Sequence, residues 1–511
     1  MTLTTTADSW SFLLAVILGV PALGAVVVAL LPASRDRQAR IVATVFAAVT
    51  FLLTIAPVFF RDRAGGWSAF GDVPQLIPWV NLDLPWVPAL GLDFHLGVDA
   101  VSYPLIVLTG LLTLLCCAYT VKKVPEAGAG RTLAALLLVL EVGVLGTFLA
   151  LDLILFFVFF EVVLLPMFAV IAGWGGPDRR RAARKFVLYT LAGSVLLLLG
   201  VIIVVSRAGT GDLIVLTGSP PLSRGTQCLV FALLAVAFAV KAPLWPLHTW
   251  LPDAHTEAPT VGSVILAGVL LKMGTYGLIR VGVGVAPDGA AWAAPVLGVL
   301  AVVAILAGSL ICLRQRELKR LIAYSSVGHM GFVLLGIATL TVTGIQAALI
   351  GNVAHGLITG LLFFLVGTIK DRTGTGSIDQ LSGLREQAPR LAGLLGFAAV
   401  ASLGLPGLAG FWGEAFAVVA AVQAGGPFWL TCAALAAVGG ALTAAYFLRL
   451  LRRVTHGPAT PVVRAMRPSI AAAEWFAWAP LVLLTLVVGL APALILSGTA
   501  LPIVDLLGGS R

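Results

Sequence analysis

Along most of its length the chain alternates apolar runs of about 20 residues, the length that crosses a bilayer as a helix, with short connections rich in Arg, Lys, Pro and Gly. The runs fall near residues 10–32, 41–60, 98–120, 131–150, 151–174, 183–206, 227–250 and 260–282, and then near 291–313, 319–340, 343–369, 392–424, 427–450 and 475–498. This pattern predicts an all-α polytopic membrane protein of about 14 transmembrane helices. Two runs are interrupted. The seventh carries KAPLWPLHTWLPD from Lys241 to Asp253, with Pro243, Pro246 and Pro252, and the twelfth carries SLGLPGLAGFWGE from Ser402 to Glu414, with Pro406 and four glycines. Proline removes a helical hydrogen bond and glycine weakens a helix interior, so both runs read as broken helices. They lie five spans apart, which fits two repeated five-helix units over 131–282 and 291–450. These are flanked by a three-helix segment with an outer loop (1–130) and a last helix with its tail (451–511). Interrupted helices at corresponding positions of two repeats point to a transport site.

Charge fixes the expected topology. Of the 32 Lys and Arg, 24 lie in the connections after odd-numbered spans. Because cytoplasmic loops carry the excess of positive residues, these loops are expected in the cytoplasm and both termini on the outer side. The apolar run from Ser9 to Leu31 is too long for a signal-peptide core and reads as a retained first helix. The longest outer connection, residues 61–97, leads into WVNLDLPWVPALGLDFHLGVDA, whose alternation predicts a hairpin on the membrane face. With 59% hydrophobic and 11% charged residues, the net charge of +9 reflects topology and excludes a nucleic-acid partner. The five cysteines sit in apolar runs without metal-ligand spacing, and neither nucleotide-binding glycine pattern is present. No cofactor, metal or catalytic group is therefore expected in this chain, and protons and lipid are its small partners. The abundance of Ala, and of Arg over Lys, points to a GC-rich bacterial gene and hence to a bacterial plasma membrane.

Depth identifies the chemistry. A helix rises about 1.5 Å per residue, so a residue some ten positions into a span lies near the midplane. Glu161, Lys241, Lys272, His329 and His355 fall there, and Glu414 lies at a similar level of its broken span. They form a row in the membrane plane. An ionisable group at that depth costs about 2.5–3.5 kcal/mol to insert and usually marks an ion or proton path. Each has a plainer reading. Glu161 would be a carboxylate protonated by burial, Lys272 a snorkelling lysine, the histidines hydrogen-bonded core residues and Glu414 a helix cap. Lys272 is too central to snorkel. Lys241 is the natural partner of Glu161, since burial lowers an amine's affinity for protons and a carboxylate restores it, leaving a switchable group. Ser325 and Ser326 are candidates to hold water beside the histidines, and His248 lies in the first break. For Glu141, mid-span in LALLLVLEVGVLG, structural and proton-uptake roles both stand. His248, Asp253, His255 and Glu257 superficially suggest a metal cluster, but their proline-rich turn favours capping and turn roles.

The stretches KAPLWPLHTWLPDAHTEAPTVGSVILAGVLLK, FFEVVLLPMF, KRLIAYSSVGHMGF and GLPGLAGFWGE strongly resemble the antiporter-like proton-pumping subunits of respiratory complex I. The resemblance covers nearly the whole chain and is nearest to the M-type subunits of bacterial NADH-quinone oxidoreductases. It implies a 14-helix fold with two inverted five-helix repeats. It also implies proton-translocation roles for Glu161, Lys241, Lys272, His329, His355 and Glu414, and sibling antiporter-like subunits as membrane-arm partners. Glu414 separates this branch from the L and N types and from Mrp-type cation/proton antiporter subunits, which usually carry lysine there. The L type also has a long C-terminal lateral helix, which this chain is expected to lack. No motif of the family matches Glu141. A cation/proton antiporter subunit, or a hydrogenase-linked ion pump of the same fold, is the alternative function.

Overall fold

The computed structural model describes residues 10–64, 78–87, 92–125 and 128–507. Its helices are α1 (Phe12–Leu30), α2 (Asp36–Ile55), α3 (Tyr103–Lys122), α4 (Gly130–Leu149), α5 (Leu153–Trp174), α6 (Arg179–Ala208), α7 (Arg224–Lys241) and α8 (Trp250–Glu257). They continue with α9 (Thr260–Val283), α10 (Pro287–Arg314), α11 (Leu318–Ala338), α12 (Val342–Thr373), α13 (Pro389–Ser402), α14 (Ala409–Ala424), α15 (Gly426–Thr455) and α16 (Ala472–Leu490). Among the described residues thirteen helices are long and apolar enough to cross a membrane, and α13 with α14 supplies the remaining span. The short α8 completes the seventh span, so the predicted set of fourteen is present.

Both predicted breaks are present. α7 stops at Lys241 and α8 resumes at Trp250, while α13 stops at Ser402 and α14 resumes at Ala409. Each break falls in the fourth span of a five-span group, α4–α9 and α10–α15. Five is odd, so the second group crosses in the opposite sense to the first.

Burial is uneven. The whole of α9 is enclosed, and α12 and α11 nearly so, whereas only 28% of the spans formed by α2 and by α15 is buried. In a bilayer lipid chains cover such faces, so exposed Leu and Val are the expected exterior. The central helices therefore carry the charged residues, and the outer ones are a greasy sleeve.

The outer connection forms the predicted hairpin, β1 (Val80–Val87) and β2 (Leu92–Val98), antiparallel with Val80 opposite Val98. Val80, Leu82, Leu96 and Val98 turn inward, and the Leu151 amide donates to the His95 carbonyl at 2.9 Å. His95 also bonds Asn81 Oδ1 at 2.7 Å and lies 3.3 Å from Asp212 Oδ2. Burial pushes the Asp212 carboxyl up, but the hydrogen bond and charge of His95 and the Ile214 and Val215 amides outweigh it and hold the group below its ordinary value. The rest of the 61–97 connection lies largely outside the described residues.

Candidate functional site

The first break is built around the end of α7. Lys241 is its last residue, and the carbonyls left free there find substitutes. Trp250 Nε1 donates to the Val240 carbonyl at 2.9 Å, and the Leu244 amide to Ala239 at 2.9 Å. From the other side Lys185 on α6 donates to the Thr249 carbonyl and to Asp253, both at 2.7 Å. Gly274 lets α9 lie against the break, since a Cβ there would sit 2.6 Å from the Ala242 nitrogen.

Glu161 and Lys241, expected to pair, make neither an ion pair nor a hydrogen bond here. The Lys241 ammonium is 2% exposed, has no hydrogen-bond partner and stands 4.7 Å over the Phe160 ring. Glu161 instead accepts a short hydrogen bond from Ser194 on α6. The helix is also interrupted close by. Pro166 cannot donate to the Val162 carbonyl, and the α5 hydrogen-bond pattern is interrupted at Val163, two residues past Glu161. Phe238 packs edge-on against the stacked Phe156 and Phe160, and the Phe160 face gives the amine a cation–π contact in place of a contact counterion.

Beyond Lys272 the groups lie in contact, hydrogen-bonded at both ends of the run and ring against ring in its middle. The Lys272 Nζ donates to the Ala267 carbonyl at 2.5 Å and lies 2.6 Å from His355 Nδ1. The first π turn of α9, Leu266–Leu270, accounts for the carbonyl five residues back being within reach. The His355 and His329 rings meet edge-on at 5.8 Å, and His329 Nδ1 lies 2.8 Å from Glu414 Oε1. Glu414 sits more than a turn into α14, so it is not the cap of the half-helix. Gly413 brings α14 against α12, where a Cβ would approach the Gly351 Cα to 2.6 Å. A cavity of about 30 Å³ touches His329, His355, Ser402 and Glu414. That is room for one or two waters beside the imidazoles.

The secondary candidates differ in their surroundings. Ser325 and Ser326 both donate to the Ile322 carbonyl, at 2.8 and 3.1 Å. His248 is buried in the first break, edge-on to Tyr324 at 6.1 Å. Glu141 is buried on α4 with both carboxyl oxygens unpartnered. The four residues that suggested a metal are tied elsewhere. Asp253 bonds Lys185, Glu257 accepts the Asp178 amide at 2.9 Å, and His255 stacks on Phe363 at 4.4 Å.

Three buried groups were missed by sequence reasoning. Lys319, counted with the loops, is 5% exposed and donates to the Ala258 carbonyl at the end of α8 at 2.8 Å. It borders a basin of about 950 Å³ at the Arg/Lys-rich ends of the helices, which also touches Glu257, Lys370, Arg372 and Glu474. Arg280, counted with the opposite loops, is fully buried in α9 and pairs with Asp99 at 3.0 Å. His255 is fully buried with both ring nitrogens unpartnered. The tight polar spacing of KRLIAYSS and the Arg at the end of a 20-residue run were the available signals.

Residues 150–440 match the family described as NADH:quinone oxidoreductase/Mrp antiporter, TM, which spans both breaks and the whole row. The chain belongs to this family. NADH-quinone oxidoreductase subunit M of Rhodobacter capsulatus is 39% identical over 475 residues, covering 90% of this chain and 89% of its own. Among solved structures, a chain of respiratory complex I from Thermus thermophilus with bound NADH superposes with a TM-score of 0.85 at 31% identity, covering 97% of this chain and all of that one. A chain of the Mrp complex from Dietzia sp. DQ12-45-1b gives 0.86 at 25%, covering 98% of each. Beyond the matched residues 150–440, the likeness to these chains extends over nearly the full length.

Proposed function

We infer that the chain is a proton-translocating membrane-arm subunit of a bacterial NADH:quinone oxidoreductase, with sibling antiporter-like subunits as neighbours. The observation that carries this is the run Lys272–His355–His329–Glu414, hydrogen-bonded at each end and in ring contact at its middle, four titratable side chains from α9, α12, α11 and α14 in one line inside a greasy sleeve. The likeness to oxidoreductase subunits over most of both chains supports the enzyme over its rivals. Oxidation of NADH and reduction of quinone belong to partner chains; this chain's residues move charge. The Arg/Lys-rich ends face the cytoplasm and the hairpin the outside, in a plasma membrane, by the positive-inside rule. The units 131–282 and 291–450 act as the two half-transporters, flanked by 1–130 and 451–511.

Lys241 is the switching group. With Glu161 bonded to Ser194, the amine has no contact ion pair, and it releases its proton toward Lys272. With Glu161 turned to Lys241, the amine holds it. From Lys272 the proton passes through His355 and His329, with cavity water, to Glu414 and then outward. Moving one charge against 100 mV costs about 2.3 kcal/mol, and one unit of pKa change supplies about 1.4, so remaking one ion pair is of the right size. Lys241→Ala and Glu161→Ala in assembled enzyme test this. Both are expected to abolish proton pumping, and wild-type pumping in both would leave the chain a scaffold.

A cation/proton antiporter subunit remains the second reading, favoured by the likeness to the Mrp complex chain. Sodium-dependent proton flux uncoupled from NADH oxidation would establish it.

A further inference from the structure

We propose that Arg280 is a fixed positive barrier that stops protons on Lys272 from leaking along α9 to the hairpin end of the membrane, forcing them sideways to His355. The proposal deepens the proton-translocation reading and rests on it. Lys272, Tyr276 and Arg280 follow each other at four-residue spacing, so they stack on one side of a helix. All three are essentially unexposed. Tyr276 turns its hydroxyl to the Phe148 carbonyl at 3.3 Å, away from the relay. Arg280 lies in the second π turn, Leu278–Val283, and faces Asp99, whose other carboxyl oxygen accepts the Val101 and Ser102 amides at 2.9 Å.

Chemistry separates Arg280 from the residues of the row. A guanidinium has five donors and no acceptor and does not deprotonate in proteins, so it neither receives a proton nor passes one on. Eight residues of helix put it about 12 Å from Lys272. At that separation and an effective dielectric of about 20, two unpaired positive charges disfavour each other by about tenfold in an equilibrium constant; Asp99, 3.0 Å from the guanidinium, offsets part of this, so about tenfold is the ceiling. His355, by contrast, touches the lysine and accepts. The sideways route is open and the direct one is repelled. A packing clamp would need the pair; a barrier needs only the arginine's charge.

That difference defines the test. The complex carrying the chain is reconstituted in vesicles, and passive proton flux under an imposed pH gradient is measured without NADH, followed by NADH-driven pumping. Arg280→Gln is expected to raise passive flux several-fold, up to about tenfold. Arg280→Lys is expected to stay tight. Asp99→Asn keeps the amide contacts through its carbonyl oxygen and leaves the positive charge unopposed, so it is expected to be as tight as wild type or tighter. The Arg280→Gln/Asp99→Asn double variant leaves no unpaired buried charge, is expected to leak, and carries the test if Arg280→Gln alone fails to assemble. Tight Arg280→Gln and double variants, or equal leaks in Arg280→Gln and Asp99→Asn, would overturn the barrier. Absence of NADH-driven pumping in the wild type would count against the function and not against the barrier, which the passive flux reads separately.

Discussion

The two broken spans carry the same interruption and opposite chemistry. At the first, Lys241 ends its half-helix, bonded to nothing and shielded by Phe160, while the carboxylate expected beside it bonds Ser194. At the second, Glu414 lies inside the following half-helix and bonds His329, which meets His355, which meets Lys272. A buried charge with no bonded partner responds to any group that approaches it. A connected line relays. Under the proposed function, this difference would place control at the first break and conduction at the second.

The largest effect should come from cutting the line. His329→Ala leaves Glu414 and His355 without a shared neighbour, and proton translocation by assembled enzyme is expected to fall about a hundredfold. Retained translocation would show that water alone spans the gap. Gly413→Val should cost less. Its side chain pushes α14 from α12 at the Gly351 contact, an overpacking worth about 1–3 kcal/mol, with translocation reduced several-fold; a thermal melt and a pumping assay read both. At the first break, Ser194→Ala frees Glu161 to reach Lys241 and should alter the translocation rate only two- to threefold, about the worth of one hydrogen bond. If that small change matched His329→Ala in size, the two breaks would not differ as described.

The smallest effect lies outside the membrane core. Asp212 is held below its ordinary value beside His95, so its anchoring of the hairpin is complete above the unfolded carboxylate value near 3.9 and is lost as pH falls through the lower, folded value. Asp212→Asn keeps the cap on Ile214 but loses the charge. It is expected to speed amide exchange in β2 at neutral pH, by less than about 1 kcal/mol of protection, with the difference vanishing at strongly acidic pH.

Spans, breaks and the depth of the row were legible because a 20-residue apolar run and a proline inside it have few other readings. Lys272, His329, His355 and Glu414 share a level, and the helices that carry them converge. What depth could not reveal was direction. Glu161 and Lys241 share a level too, but the carboxylate bonds Ser194 on the neighbouring helix. Arg280 and Asp99 stand 181 positions apart, and nothing local links them. The π turns of α9 were equally hidden, because their backbone angles are close to those of an α-helix. Lys319 was misplaced for a simpler reason: its neighbours Arg316 and Arg320 are loop charges, and only the end of α8 above it makes it a buried one.

The most direct test of the switch is the number of protons moved per NADH oxidised by reconstituted enzyme carrying Lys241→Ala, with assembly verified. The account predicts that this number falls toward zero, and that Lys241→Arg, which keeps the charge but does not release it, does not restore it. Wild-type stoichiometry in both variants would contradict the assignment of Lys241 as the group whose protonation switches.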